Sequence, residues 1–504
     1  MPIPSEEANI GADILSSATP LGGQPTLKTR LGKAHHWSMI DTCLVVVLTL
    51  LAGGLRFAGI TQPRGFVFDE FYASDGCLYV LGPNGRCLID TEISVVHPPL
   101  GKWLIGAGIR LLGFTPAGWR LAPLVAGALS VAILYLLARR LLGSTLAASL
   151  AAGLLAFDFL HFVMSRTAML DIFVVFSGLG SFLCLLYDRD RSAGTQTPSR
   201  NPFFHRLLMR PWLLGAGLAG GAATASKWSG GYLLAVICLL AFMQEAARLK
   251  DDSHRYRRVA REEGALLVVA LMLVPAVVYV LSYSGRLEGT LLAWPWAEGS
   301  WTRAFIARQH LMIVHHTGSL FTHPYASPAW SWPFIRRPVL FYIRDLGEGR
   351  YQEILALGNP LVWWTGLVAL VATTLQALRR RQLQAPETVV VAGFAAGYVP
   401  WLVVTRQESF LYYLLPAVPF LCLAVAHVVA GISARYIRTI AIGGLVVSTI
   451  GMFLFFRPLL VGNTLSYREW ERRMFFTDCG PALSGTNKKP VTQPMPPPPG
   501  WCWI

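Results

Sequence analysis

The sequence predicts an all-α polytopic membrane protein. Three observations carry the prediction. The chain of 504 residues is 54% hydrophobic and only 14% charged, where a soluble domain carries about a quarter charged residues. Its mean hydropathy is +0.48. Apolar runs near twenty residues recur along it, the length at which a helix crosses a bilayer. The spans fall at about 40–59, 119–139, 144–162, 168–187, 212–226, 228–247, 264–283, 359–377, 388–404, 410–430 and 439–457, eleven in all.

Residues 1–39 are polar, with no apolar core of a cleavable leader. Lys28, Arg30 and Lys33 precede the first span, so this tail is expected in the cytoplasm and span one is an uncleaved anchor. The net charge of +15 has an explanation in topology rather than in nucleic acid binding. Arg139 and Arg140, Arg189 to Arg210, Lys250 to Arg261, Arg379 to Arg381, and Arg435 with Arg438 all fall in loops on the cytoplasmic side of this count. The odd count puts the C-terminus outside.

The organisation expected is therefore a tail over 1–39, a region 40–283 with an outer loop 60–118, a long outer loop 284–358, a four-helix region 359–457 and an extracytoplasmic tail 458–504. Within the first loop, 101–114 is apolar but too short to span, and is expected to lie along the membrane surface. In the second, Trp294, Trp296, Trp301, Trp330 and Trp332 fit a loop hugging the interface. The tail ends with Pro496 to Pro499, a stiff extended strap. Cys43, Cys184, Cys238 and Cys422 lie within spans; Cys77, Cys87, Cys479 and Cys502 lie outside, most simply as bridges Cys77–Cys87 and Cys479–Cys502. Gly215-Ala216-Gly217-Leu218-Ala219-Gly220 fits a dinucleotide fingerprint, but it follows no strand and sits in an apolar span. Small residues so spaced let helices approach closely.

Chemistry concentrates on the outer side. Phe68-Asp69-Glu70-Phe71 sets two acids among aromatics, with Asp75 close by. A carboxylate pair in a loop is ordinarily a solvated face; burial beside aromatics instead raises a carboxylate pKa and makes a usable base. Val96-His97-Pro98-Pro99-Leu100-Gly101-Lys102 is a helix start, which the prolines explain and the bracketing His97 and Lys102 do not. Arg120 opens a span. Arg166 and Asp171 bracket one tight outer turn, Lys227 sits in another, and Arg406 with Glu408 in a third, followed by Phe410, Tyr412 and Tyr413. Ion pairs such as Arg166–Asp171 are the structural explanation; cations converging on one face also suit a phosphate at the membrane surface.

Asp69-Glu70, His97 to Lys102, Ser165-Arg166 with Asp171, and Ser226-Lys227-Trp228 resemble the N-terminal transferase region of the protein O-mannosyltransferases. His323-Pro324-Tyr325, Gly358-Asn359-Pro360 with Trp363-Trp364, and Tyr398 to Pro416 resemble its C-terminal part, in the family's order, over about 40–475. The resemblance implies a GT-C glycosyltransferase fold with eleven membrane helices, a polyprenyl- or dolichyl-phosphate-mannose donor, and Ser/Thr hydroxyls of exported polypeptides as acceptors. It implies Asp69 as base with Glu70 beside it, and basic residues at Arg120, Lys227 and Arg406, with Arg166, as partners of the donor phosphate. His97, Lys102, Asp171 and His323 are supporting residues. Eukaryotic members carry a β-trefoil MIR insertion in the long loop. The loop here, about 75 residues, is too short for it, so the chain resembles the bacterial, actinobacterial-like branch.

The expected reaction is inverting transfer of mannose at the outer face of the cell membrane. Asp69 removes the hydroxyl proton and cations neutralise the leaving phosphate. No metal-ligand cluster is legible, so no obligatory metal or other cofactor is expected. The expected partners are the lipid-linked donor, exported polypeptides, membrane lipid and the protein-secretion channel, and no nucleic acid. The competing readings are transfer of another lipid-linked sugar such as arabinose, a transporter or flippase, and a non-catalytic scaffold. Half-to-half symmetry, which transporters often show, is not evident.

Overall fold

The computed structural model describes residues 37–475, except 83–84, 89–93, 193–202, 250–251, 285–300, 319–322, 324, 383–384, 405 and 407. The Cys479–Cys502 pairing, the proline run, Trp294, Trp296, Pro324 and most of the N-terminal tail lie outside these residues.

Nine helices among the described residues are long and apolar enough to cross a membrane: Met39–Phe57, Pro116–Leu142, Asp171–Ser192, Gly230–Arg248, Gly264–Leu281, Pro360–Arg380, Pro386–Val403, Leu411–Ala430 and Arg435–Val461. The two other expected spans are shorter. One is the helix Pro211–Ser226. The other breaks into Thr145–Ala156 and Phe159–Met164. The break has a polar cause. The Asp158 carboxylate caps the second piece by accepting from the His161 N–H at 2.9 Å, and it accepts from Trp363 Nε1 at 2.8 Å.

Local chemistry sets the helix ends. Ser38 and Asp41 form a reciprocal capping box at the first helix. Thr115-Pro116 and Asn359-Pro360 place a capping side chain before a proline at the first turn. Asp41 also accepts from Tyr135 Oη, Arg139 Nε and Thr145 Oγ1 at 2.8–2.9 Å, tying the first helix to its neighbours.

A connected ion network joins the loops at one end of the bundle. Arg140 pairs with Asp190 at 2.6 Å, Arg210 with Asp188, Glu245 and Glu263, and Arg206 with Glu263. Of the positive clusters assigned to one side from the sequence, Arg140 and the group of Arg206 and Arg210 contribute to this network.

The first long loop is folded. The expected helix is present as Leu100–Leu112. A second, Tyr72–Leu81, was not anticipated. The two cross where glycine faces glycine: a Cβ on Gly76 would lie 2.7 Å from the Lys102 carbonyl oxygen, and one on Gly106 would overlap the Gly76 carbonyl. Lys102 is fully buried, 3.1 Å from Asp75, and it donates to the Ser94 carbonyl. Cys77 and Cys87 form a disulfide, as their shared loop led us to expect.

The second long loop departs from an all-α reading. It holds the helix Trp301–Gly318 and a hairpin of strands Val339–Asp345 and Arg350–Ala356. Thr464–Ser466 adds an antiparallel third strand. Burial runs in blocks along both hairpin strands instead of alternating, so a period-two pattern does not reveal them. Trp332, expected at the interface, is fully buried instead, its Nε1 donating to the Ser327 carbonyl at 3.1 Å; Trp330 is exposed. The Gly215–Gly220 motif packs as a helix contact, a Cβ on Gly217 overlapping the Ala270 carbonyl.

Gly76→Ala should lower the melting temperature in detergent, since overpacking costs about 1–3 kcal/mol. Gly153→Ala, where a Cβ meets nothing within 4 Å, should leave it equal or higher. Equal melting of both variants would contradict the close crossing.

Candidate active site

Asp69 and Glu70 are sequence neighbours with opposite environments. Phe68 holds them apart. Its φ is +50°, a left-handed conformation uncommon for a bulky residue, which persists only where packing enforces it. Its ring stacks on Phe341 at 4.6 Å and 5°, with Phe410, Tyr412 and His323 edge-on at 5.9–6.2 Å. Its N–H donates to the Phe341 carbonyl at 3.1 Å. The hairpin and the C-terminal segment thus fix the turn carrying both acids. His323 belongs to this aromatic box, its Nδ1 accepting from the Tyr325 N–H at 3.2 Å.

Glu70 is fully buried. Arg120 grips it twice at 2.7 Å, and the N–H groups of Val67 and Ala168 donate to it at 2.9 and 3.0 Å. The remaining Arg120 N–H groups go to the carbonyls of Ile60, Pro63 and Gly65 at 2.9–3.2 Å. All five donors of the guanidinium are taken. The expectations that Glu70 is catalytic and that Arg120 binds the donor phosphate are corrected on this geometry: neither has a free valence, and together they clasp the loop to the bundle. Arg166 is corrected likewise. Its guanidinium donates to the carbonyls of Arg56 (2.6 Å), Ala58 (2.7 Å) and Gly59 (3.1 Å), satisfying the open end of the first helix. It does not pair with Asp171.

Asp171 takes Lys227 instead, both carboxylate oxygens accepting from Nζ at 2.9 Å. Lys227 follows the last residue of the helix Pro211–Ser226. Its ammonium also lies 4.6 Å from the ring centre of Tyr413 and 5.6 Å from that of Tyr412. Arg406 lies 4.0 Å from Glu408, and its Nε is buried without a partner among the described residues.

Asp69 faces this group. Among the described residues no donor hydrogen-bonds its carboxylate. Burial pushes its pKa up to about 6; Lys227 pulls it down, while Asp171 and Glu408 push it up. A partly enclosed carboxylate with free lone pairs and a pKa near 6 is fitted to accept a proton.

His97 completes one wall, its ring 5.8 Å from Tyr72 and 5.8 Å from His316. Its Nδ1 is buried and unpartnered, and burial holds its pKa well below the ordinary value. His316, on the helix Trp301–Gly318, was missed from the sequence. The consecutive pair His315-His316 in the second loop was the available signal. Lys102 ties Asp75 to the carbonyl of Ser94, three residues before His97. Among the described residues no group of three or more His, Cys, Asp or Glu is placed to hold a metal ion.

Residues 46–285 match the family described as dolichyl-phosphate-mannose-protein mannosyltransferase, and residues 301–479 match the C-terminal four-transmembrane region of protein O-mannosyltransferase. A Mycolicibacterium smegmatis protein named polyprenol-phosphate-mannose–protein mannosyltransferase is 28% identical over 88% of this chain and 93% of its own length. A Mycobacterium tuberculosis protein of the same name is 28% identical over 87% and 91%. Among solved structures, the Saccharomyces cerevisiae protein O-mannosyltransferase Pmt1-Pmt2 complex bound to the sugar donor superposes with a TM-score of 0.69. It is 14% identical and covers 89% of this chain and 94% of that one.

The two acids should separate in stability. Glu70→Gln leaves Arg120 buried beside a neutral partner and should destabilise by about 3–5 kcal/mol. Asp69→Asn removes a charge that burial disfavours and should melt no lower than the parent. Thermal unfolding of both variants in detergent checks this; a matched loss in Asp69→Asn would contradict the assignment.

Proposed function

The chain belongs to the dolichyl-phosphate-mannose-protein mannosyltransferase family and has its GT-C fold, and we propose that Asp69 is the base with which it passes mannose from polyprenyl-phosphate-mannose to protein Ser and Thr hydroxyls. The observation that carries the reading is the contrast between the acids: Glu70 is fully engaged, whereas Asp69 has open lone pairs and a pKa raised to about 6.

The acceptor hydroxyl is a weak nucleophile. As its oxygen attacks the anomeric carbon, its proton passes to an Asp69 carboxylate oxygen. The bond from that carbon to the phosphate oxygen breaks, and the lipid phosphate leaves with the electron pair. Attack opposite the leaving group inverts the anomeric centre. Arg406, with its unpartnered Nε, is the first choice to neutralise the departing charge. Lys227 supports it, aimed by Asp171. Buried cations act strongly because little water screens them. With these two side chains supplying the positive charge for the leaving phosphate, activity is expected to persist in chelator.

The protein is a multi-pass membrane protein. The positive loops support placing the site on the extracytoplasmic face of the cell membrane, where lipid donor and exported polypeptide meet. A chain leaving the protein-secretion channel would present its hydroxyls before folding, which makes that channel a natural neighbour.

Asp69→Asn should lower mannose transfer to a Ser/Thr-rich peptide in membranes by about a hundredfold or more, at equal expression. The base must be ionised, so the wild-type rate should fall as pH drops through about 6. An unchanged rate in Asp69→Asn would move the base elsewhere.

Arg406→Ala should weaken competition by sugar-free polyprenyl phosphate, measured against the mannosyl donor. Unaltered competition would remove Arg406 from the phosphate site.

A further inference from the structure

His316 reaches the site from the far end of the helix Trp301–Gly318. Its Nε2 lies 3.1 Å from the Val96 carbonyl. A carbonyl only accepts, so Nε2 carries the proton and Nδ1 is left as a bare lone pair. That Nδ1 is buried with no partner among the described residues, as is Nδ1 of His97. Trp228 lies 5.4 Å from the His316 ring and His97 5.8 Å. Trp228 is itself fixed, its Nε1 donating to Tyr279 Oη at 2.8 Å. A buried acceptor without a donor is costly unless a ligand supplies one.

The chemistry of that ligand follows. Burial, with Arg406, His315 and Lys227 nearby, lowers the His316 pKa to about 4, so the ring is neutral at ordinary pH and too weak a base to replace Asp69. A bare lone pair repels a phosphate, which Arg406 and Lys227 suit. What it takes is a single hydroxyl proton, beside the Trp228 indole.

We propose that His316 is a specificity-determining residue of the donor subsite: its Nδ1 accepts a hydrogen bond from a hydroxyl of the transferred hexose, beside Trp228 and His97. The inference rests on the donor reading above and divides the site, with phosphate on the cations and sugar on the imidazoles.

The test is binding rather than turnover, comparing short-chain polyprenyl-phosphate-mannose with sugar-free polyprenyl phosphate by competition and thermal shift. His316→Gln can keep the hydrogen bond to Val96 but removes the acceptor at the Nδ1 position; His316→Asn keeps an acceptor there. In His316→Gln, affinity for the mannosyl donor should fall about tenfold, the worth of one hydrogen bond. Affinity for sugar-free polyprenyl phosphate should not change, and His316→Asn should recover part of the loss. On the wild type, one monodeoxy-mannose donor should show a loss of similar size, a result that needs no variant to fold. Equal weakening of both ligands in His316→Gln, unchanged binding of both, or wild-type indifference to every hydroxyl deletion would overturn the inference. A wild type that does not prefer the mannosylated ligand at all would overturn the donor reading instead.

Discussion

The Glu70–Arg120 clasp is the interaction on which the site depends. Arg120 stands near the start of a long helix, and its five N–H groups tie together Glu70 and the backbone at Ile60, Pro63 and Gly65. The descending chain after the first helix is thereby fastened to the second. A buried ion pair with every valence met adds little stability over an apolar pair. What it provides is position. With Glu70 turned inward and Phe68 pinned among Phe341, Phe410 and Tyr412, Asp69 is left facing Lys227 and Glu408.

The same economy governs the other charges. A charge near a bilayer is expensive, so each must be paired, bonded or functional. Arg166 closes the carbonyl end of the first helix, and Lys102 and Asp75 brace the loop helices. Arg56, His161 and Glu353 each keep an unpartnered buried atom elsewhere among the described residues, and at the site the same holds for Arg406, His97 and His316, beside the open carboxylate of Asp69. The site residues lie at one end of the bundle, away from the ion network centred on Arg210. What singles out the group at the site is that its open valences converge on one place. The long loop matters for this reason too, since His316 and the Phe341 platform both come from it.

Much of this was legible in the sequence. The spans were, because apolar runs of bilayer length have few other uses, and so was the Cys77–Cys87 bridge, because both cysteines share one short loop. The break at Asp158 was not, because its cause is Trp363 and Asn359, two hundred residues away. The hairpin was hidden because its third strand comes from Thr464–Ser466. In the site, Asp69, Lys227 and Arg406 stood out as charges in apolar surroundings. His316 did not, because the His315-His316 pair marks the loop but does not tell which imidazole will meet Val96.

The sequence by itself determined the membrane class, the order of the helices and the set of charged residues from which a site could be made, because these follow from composition and periodicity along one segment at a time. The assignment of those charges was decided only in the tertiary structure. Asp171 pairs with Lys227 rather than Arg166, and Arg120 takes Glu70 and leaves Asp69 open, because pairing depends on which helix ends and loop turns meet in space, and sequence spacing carries no record of that.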